Sequence, residues 1–211
     1  MTATVIVVAA GSGERLGHSV PKAFVPLQGK TLLERSLQPL TELSPVPQVV
    51  VGAPESWIEP ARQLAASVLG GESSLRVVAG GHTRTESVRR GLQAVSPESS
   101  YVLIHDAARA LTPTDVFSRV LQALESGALG VIPVVDVVDT IVPVDDAGVT
   151  GEAHPRDELG SVQTPQGFQH SVLLSAYDAF VGDATDDAQV LRAAGHDVVV
   201  VAGDRQSLKI T

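Results

Sequence analysis

The chain has 211 residues, enough for one large domain; 44% are hydrophobic but only 3% aromatic, so a sizeable core must be built from Val, Leu, Ile and Ala. A net charge of -9, no dense basic stretch and few aromatics exclude a long nucleic-acid polymer as partner, so any small anionic ligand must be met by a local island of cations. The absence of cysteine excludes disulfides, thiolate catalysis and Cys-ligated zinc.

In chain order, Val5 to Ala10 is a continuous apolar run, the pattern of a strand buried on both faces. It is too short for a membrane span and lacks the basic lead-in of a signal peptide, so a soluble cytoplasmic protein without a membrane partner is expected. Thr31 is placed to cap a helix over Leu32–Leu40, with Leu33 and Leu37 on one face. Strand-like runs then recur at Gln48–Val51, Leu75–Ala79, Tyr101–Ile104, Gly130–Val135 and Val198–Val201. Between them, Pro54-Glu55 opens a helix, and Glu86–Val95 and Thr114–Leu124 carry helical periodicity. This alternation predicts a single α/β domain over residues 1–211, a Rossmann-like three-layer sandwich with a mostly parallel sheet.

Residues 136–163 break the rhythm. Two short β-like runs flank the turn signal Asp145-Asp146-Ala147-Gly148, and an excursion this long in a compact α/β chain reads as a protruding β-arm with a function. The acid-rich Asp183–Asp187 segment reads as a helix N-terminus rather than a metal site. The histidines at 18, 82, 105, 154, 170 and 196 show no metal-ligand spacing.

After the first strand comes a glycine turn, Gly11-Ser12-Gly13, with Arg15 and Lys22 close behind. No Lys-Ser/Thr follows the glycines, so this is not a Walker loop, and the next glycine, Gly17, is one residue late for a dinucleotide fingerprint. What is left is either a nest of backbone N–H groups around an anion, with Arg15 as a planar fork and Lys22 as a compact charge, or a plain tight turn with solvated cations. The loop by itself does not decide between them.

Ala9-Ala10-Gly11-Ser12-Gly13-Glu14-Arg15-Leu16 with Pro21-Lys22 resembles the signature loop of nucleotidyltransferases. Four further segments narrow the match: "GGHTRTESVRRGL" (Gly80–Leu92), "HDAARA" (His105–Ala110), Asp139-Thr140 with "QTPQGF" (Gln163–Phe168), and "LKIT" (Leu208–Thr211). In this order and spacing the chain resembles the 2-C-methyl-D-erythritol 4-phosphate cytidylyltransferase family of the non-mevalonate isoprenoid pathway. It departs from that pattern at Ala110, Val142 and Ser207 and in a weakened Thr-x-x-Arg pattern that leaves Arg156 after Ala153-His154-Pro155, and the family's helix after "KIT" is missing.

The resemblance implies an enzyme that joins CTP to 2-C-methyl-D-erythritol 4-phosphate and releases pyrophosphate. It leaves open another sugar or polyol phosphate as acceptor. It places Lys22 and Lys209, two of only three lysines, on the α-phosphate and Arg15 on the leaving phosphates. Ala9, Ala10, Gly11, Ser12, Gly13, Gly81, Ser87 and Asp106 are expected to bind CTP, with Gly81, Ser87 and the Ala9-Ala10 backbone reading cytosine. Asp106 is also expected on the side of Mg²⁺, the one cofactor implied, with ribose contact as its competing role. Arg109, Thr140, Arg156 and Thr164 are expected to hold the acceptor. His105 is expected to orient the Asp106 loop without acid–base work, and Arg84 either supports phosphates or braces its loop. The family also implies a homodimer in which the 136–163 arms exchange.

Overall fold

The computed structural model describes residues 2–11 and 20–211. In chain order the strands are β1 (Ala3–Val8), the two-residue strands β2 (Pro26–Leu27) and β3 (Lys30–Thr31), β4 (Gln48–Ala53), β5 (Leu75–Ala79), β6 (Tyr101–Asp106), β7 (Gly130–Asp136), β8 (Gly160–Val162), β9 (Gln166–Gln169) and β10 (Val199–Ala202). The helices are α1 (Leu32–Leu37), α2 (Ile58–Leu69), α3 (Arg84–Gln93), α4 (Thr114–Glu125), α5 (His170–Ala179) and α6 (Asp187–Ala193).

The central sheet has the order β10-β7-β9-β6-β1-β4-β5, with β8 beside the end of β7. β10, β7, β6, β1, β4 and β5 all run the same way; β8 and β9 run against them. The sheet is therefore mostly parallel, as the alternating pattern predicts. The antiparallel strands were not foreseen, because Gln-Gly-Phe-Gln carries no apolar run.

Strand residues alternate between two cores. Val5, Val7, Val49, Val51 and Leu103 face α1, α2 and α4, where Leu33, Leu37, Ala61, Phe117 and Val120 pack. Ile6, Val50, Val102 and Ile104 face α3, α5 and α6, against Val88, Leu92, Leu173, Tyr177 and Leu191. Burial on both faces is why these strands read as unbroken apolar runs. The result is the three-layer sandwich. No helix among the described residues is long and apolar enough to cross a membrane.

Several boundaries differ from expectation. Pairing in β1 ends at Val8 rather than Ala10, although the Ala9 N–H still donates to Gly52 O at 2.8 Å. Thr31 caps α1 through a reciprocal box with Glu34, but the α-helix stops at Leu37 and tightens into a 3-10 turn over Gln38–Glu42, with Pro39 in its first turn. Pro54-Glu55 starts a 3-10 turn that leads into α2.

The arm is looser than a β-hairpin. Asp145 Oδ1 accepts from the N–H groups of Ala147 and Val149, and Gly148 takes a positive φ of 79°, so the turn forms where glycine and aspartate predict it. Only Val144 and Thr150 pair as a bridge. Pro143 accepts from the Gly151 N–H at 2.9 Å but has no N–H to give in return, which weakens the pairing there. The last residues of the expected arm return to the central sheet as β8, and the excursion proper is 137–159.

Candidate active site

Val8 lies opposite both Gly52 and Asp106, and Ala53 opposite Ala79, so the C-terminal ends of four parallel strands come level. That edge is where α/β folds hold ligands. From β1 the chain passes Ala9, Ala10 and Gly11, and the Lys22 N–H donates to Gly11 O at 3.4 Å. Pro21 (φ -58°) leads Lys22 into a one-turn 3-10 helix whose next residues, Ala23 and Phe24, are buried, and Phe24 packs on Trp57 at 4.5 Å between ring centroids. The half-buried Lys22 side chain thereby starts from a fixed base. Ser12, Gly13 and Arg15 lie outside the described residues.

Asp106 closes β6 and is 7% exposed. Its Oδ2 accepts from Lys209 Nζ at 2.7 Å and its Oδ1 from Arg84 Nε at 3.1 Å. Burial opposes its charge, but Arg84 and Lys209 outweigh that penalty and hold the carboxyl far below the usual carboxylate range. A cavity of about 170 Å³ is lined by Ala9, Gly11, Lys22, Asp106, Ala108 and Lys209, among others. Residues expected to act together, from three distant stretches of chain, thus share one cavity. Among the described residues, Asp106 is the only acidic one in its lining.

Lys209 is positioned from both sides. Arg109 donates to Ser207 O at 2.6 Å and to Val162 O at 3.1 Å, while the Ile210 N–H donates to Ala108 O at 2.9 Å. The guanidinium expected at the acceptor is thus also a strap that ties the tail to β8. Burial is the main cause of its pKa being lowered.

Thr164 is 5% exposed. Its Oγ1 accepts the Asp106 N–H at 3.1 Å and lies 3.0 Å from His105 Nδ1. This hydroxyl fixes the Asp106 backbone, and Thr164 also lines a cavity shared with Arg84, Asp106 and Arg109. Burial pushes His105 down to about 4, so the ring is neutral at pH 7, which suits an orienting role and not a proton donor.

Gly81 donates its N–H to Ser87 Oγ at 2.9 Å. A Cβ on Gly80 would sit 2.3 Å from Ala10 Cβ, so the Gly80–Gly81 backbone abuts the end of β1 as no larger residue could. The expected cytosine-reading residues Ala10, Gly81 and Ser87 are therefore neighbours.

Thr140 is exposed, and Arg156 donates to Val138 O at 3.3 Å within the arm. Within one chain, neither lines the cavity that holds Lys22. A second cavity, of about 620 Å³, runs from Lys209 and Arg109 past Ser161 and Gln163 to the arm root at Asp136–Asp139.

Arg84 is the main residue whose place the sequence did not settle. Its second arm donates to Asp187 Oδ2 at 2.6 Å, and Tyr177 OH donates to Asp187 Oδ1 at 2.6 Å. It therefore braces rather than standing in solvent. The Asp183–Asp187 segment is a helix N-terminus as expected: Asp186 caps α6 through the Gln189 N–H. Asp187, however, is fully buried and turned toward Arg84. The sequence held no signal for that, since the partners lie 103 residues apart.

Among the described residues no group of three or more His, Asp or Glu side chains forms a metal cage.

Residues 3–211 match the family model described as 2-C-methyl-D-erythritol 4-phosphate cytidylyltransferase. The Rhodococcus jostii protein of that name is 48% identical over 206 residues, covering 98% of this chain and 88% of the relative. The crystal structure of the Thermus thermophilus enzyme of the same name is 32% identical with a TM-score of 0.78, covering 100% of this chain and 93% of that one. The 4-diphosphocytidyl-2C-methyl-D-erythritol synthase of Anaerococcus prevotii superposes with a TM-score of 0.85 at 25% identity, with the same coverage.

Proposed function

The chain belongs to the 2-C-methyl-D-erythritol 4-phosphate cytidylyltransferase family, a family of nucleotidyltransferases, and from that premise we propose how its own residues carry the reaction. CTP and 2-C-methyl-D-erythritol 4-phosphate give the diphosphocytidyl alcohol and pyrophosphate. An oxygen of the acceptor phosphate forms a bond to the α-phosphorus while the bond from that phosphorus to the pyrophosphate oxygen breaks. The nucleophile is already an anion, so no proton need be removed. What must be supplied is alignment of two anions and fixed positive charge where negative charge gathers.

The observation that carries this reading is the convergence of Lys22 and Lys209 on one cavity beside Asp106. Both ammonium groups face the α-phosphate. Lys209 has three N–H donors, so its bond to Asp106 leaves others for a phosphate oxygen. Arg15 takes the leaving β- and γ-phosphates. Ala9, Ala10, Gly11, Ser12 and Gly13 follow the nucleotide with their backbone, and Gly81 and Ser87 read the base. Mg²⁺ held by triphosphate oxygens and the Asp106 side of the cavity would offset the charge that three cationic side chains leave unneutralised. Arg109, Thr140 and Arg156 receive the acceptor phosphate, with Thr164 holding the floor beneath it. The reaction belongs in the cytoplasm, where CTP is at hand.

One assay tests the reading. Pyrophosphate release is measured for four nucleoside triphosphates against several polyol phosphates, with CTP binding titrated in Mg²⁺ and in excess EDTA. CTP with 2-C-methyl-D-erythritol 4-phosphate is expected to be the preferred pair, and CTP is expected to bind more weakly in EDTA. Equal or better turnover with another pair would overturn the substrate assignment. Equal affinity in both buffers would remove the cation from the nucleotide site.

The arm enters as part of a homodimer. Val138, Val144 and Val149 are each about 60% exposed, which is costly for an isolated chain, and exchange of arms across a two-fold axis would cover them. Arg156 would then complete the partner's acceptor site. Lys22→Ala and Arg156→Ala chains are each expected to be nearly inactive alone. Unfolded together and refolded, half the dimers are mixed and one site in two is intact, so about a quarter of wild-type activity returns. Demonstrated heterodimers that stay as inactive as their parents would show that Arg156 does not serve a partner's site.

A further inference from the structure

The loop Gly80–Thr83 joins β5 to α3 and is held almost entirely from the α3 side. The Gly80 N–H donates to Ala53 O at 2.7 Å, which carries the loop over the end of β4. Arg90 Nη1 donates to Gly80 O at 2.8 Å, and its other Nη donates to Glu86 Oε1. Glu86 Oε2 accepts from the His82 N–H at 2.7 Å. Ser87 Oγ accepts from Gly81 N–H at 2.9 Å and donates to Thr83 O at 2.9 Å. Three side chains near the start of α3, Glu86 and Arg90 on one face with Ser87 beside them, thus hold four consecutive residues of backbone.

Packing makes this tighter. A Cβ on Gly81 would lie within 2.5 Å of three Glu86 side-chain carbons, so Glu86 lies flat over the loop. On its other side Gly80 meets Ala10, two residues past the end of β1. The position of Gly80–Gly81 relative to the nucleotide strand is set between Ala10 and the Glu86–Arg90 pair. The His82 N–H, foremost, and Arg90 keep the Glu86 carboxyl below its ordinary range, so the pair is charged at neutral pH.

We propose that Glu86 and Arg90 are specificity-determining positioning residues: they touch no nucleotide, and they set pyrimidine selectivity by fixing the loop that meets the base. This rests on the reading that Gly81 and Ser87 face cytosine. Cytosine and uracil share a ring size and differ at two adjacent positions: cytosine has a donor amine at C4 and an acceptor N3 where uracil has an acceptor oxygen and an N–H donor. Telling them apart requires a partner group held in register, since a loop free to slide can meet either. Arg90 supplies that register because its planar guanidinium holds a carbonyl and a carboxylate along fixed in-plane directions, a geometry that the rotating donors of an ammonium do not impose.

The test uses the full-length protein and the variants Glu86→Ala, Arg90→Met and Arg90→Lys. kcat/KM is measured for CTP and for UTP, with kcat for CTP and thermal midpoints alongside. The ratio of CTP to UTP is expected to fall about tenfold in Glu86→Ala and Arg90→Met, less than the 10²-fold that a 1 Å misplacement costs. kcat at saturating CTP should stay within a few-fold, and Arg90→Lys should fall between. Both side chains are more than a third exposed, so the variants are expected to fold. A lowered thermal midpoint with an unchanged CTP-to-UTP ratio would show a purely structural clamp and overturn the proposal. A wild-type protein with no preference for CTP would instead overturn the functional reading beneath it.

Discussion

Lys22→Ala is expected to lower kcat by about 10²–10³ while weakening CTP binding only modestly. A fixed charge at the reacting phosphorus acts chiefly where negative charge builds, in the transition state, and removing one such stabiliser costs about that much. The geometry makes the charge a fixed one. Pro21 and the buried Ala23 and Phe24 hold the backbone on either side of Lys22, and its N–H closes the loop on Gly11. Lys30→Ala is the control: that lysine is exposed, bonds Gln38 at 3.2 Å, and should have no effect on turnover. Steady-state kinetics and CTP titration on both variants check the expectation. If Lys22→Ala keeps near-normal turnover, the loop lysine is only a solvated charge and the chemistry rests elsewhere.

Arg84→Met is expected to destabilise the protein by about 3–5 kcal/mol, as measured by urea unfolding at pH 7. Tyr177, Asp187, Arg84, Asp106 and Lys209 form a line of donors and acceptors from the α5–α6 core to the cavity, with charges alternating along it. Asp187 has no exposure at all, so without Arg84 it keeps, among the described residues, only the Tyr177 hydroxyl as a side-chain partner. A buried charge left so poorly paired is the costly case. The double variant Arg84→Met/Asp187→Asn removes that charge and keeps an acceptor for Tyr177, so it should recover more than half of the loss. Arg84→Met costing under about 1 kcal/mol, or no recovery in the double variant, would show that the line is not coupled. The pH dependence follows from Asp106, whose folded carboxyl titrates below its unfolded range. Its stabilising contribution is complete above about pH 5 and is lost as pH falls through the folded value into strong acid.

The same residues show how far a reading of the chain alone reaches. Five of the expected strand runs differ from the observed strands by no more than two residues at either end, and Leu75–Ala79 coincides. Burial on both faces writes itself into consecutive Val, Ile and Leu. The strands β8 and β9 and helix α5 left no such trace. Gln166 and Gln169 are there because buried backbone needs partners: Gln166 Oε1 accepts the N–H groups of Asp187 and Ala188, a contact 21 and 22 residues away in sequence. Thr164 is expected at the acceptor, and the sequence holds no sign of the protein partners its hydroxyl also finds. The fold turned it inward onto His105 and the Asp106 backbone.

By itself the sequence determined the layered α/β class, the parallel core strands, the turn at Asp145–Gly148, and the motifs that mark a nucleotidyltransferase, because each of these depends on residues within one turn or one strand. Only the tertiary structure decided what each charge does. It placed Lys209 on Asp106, made Arg109 a strap for the tail, turned Asp187 from a helix-end acid into the buried partner of Arg84, and set Glu86 and Arg90 over the Gly80 loop. The reason is physical. An apolar side chain is driven to any interior, so its pattern along the chain is enough, whereas a charge is satisfied only by a particular partner at about 3 Å, which for Lys209 and Asp187 lies 103 residues away.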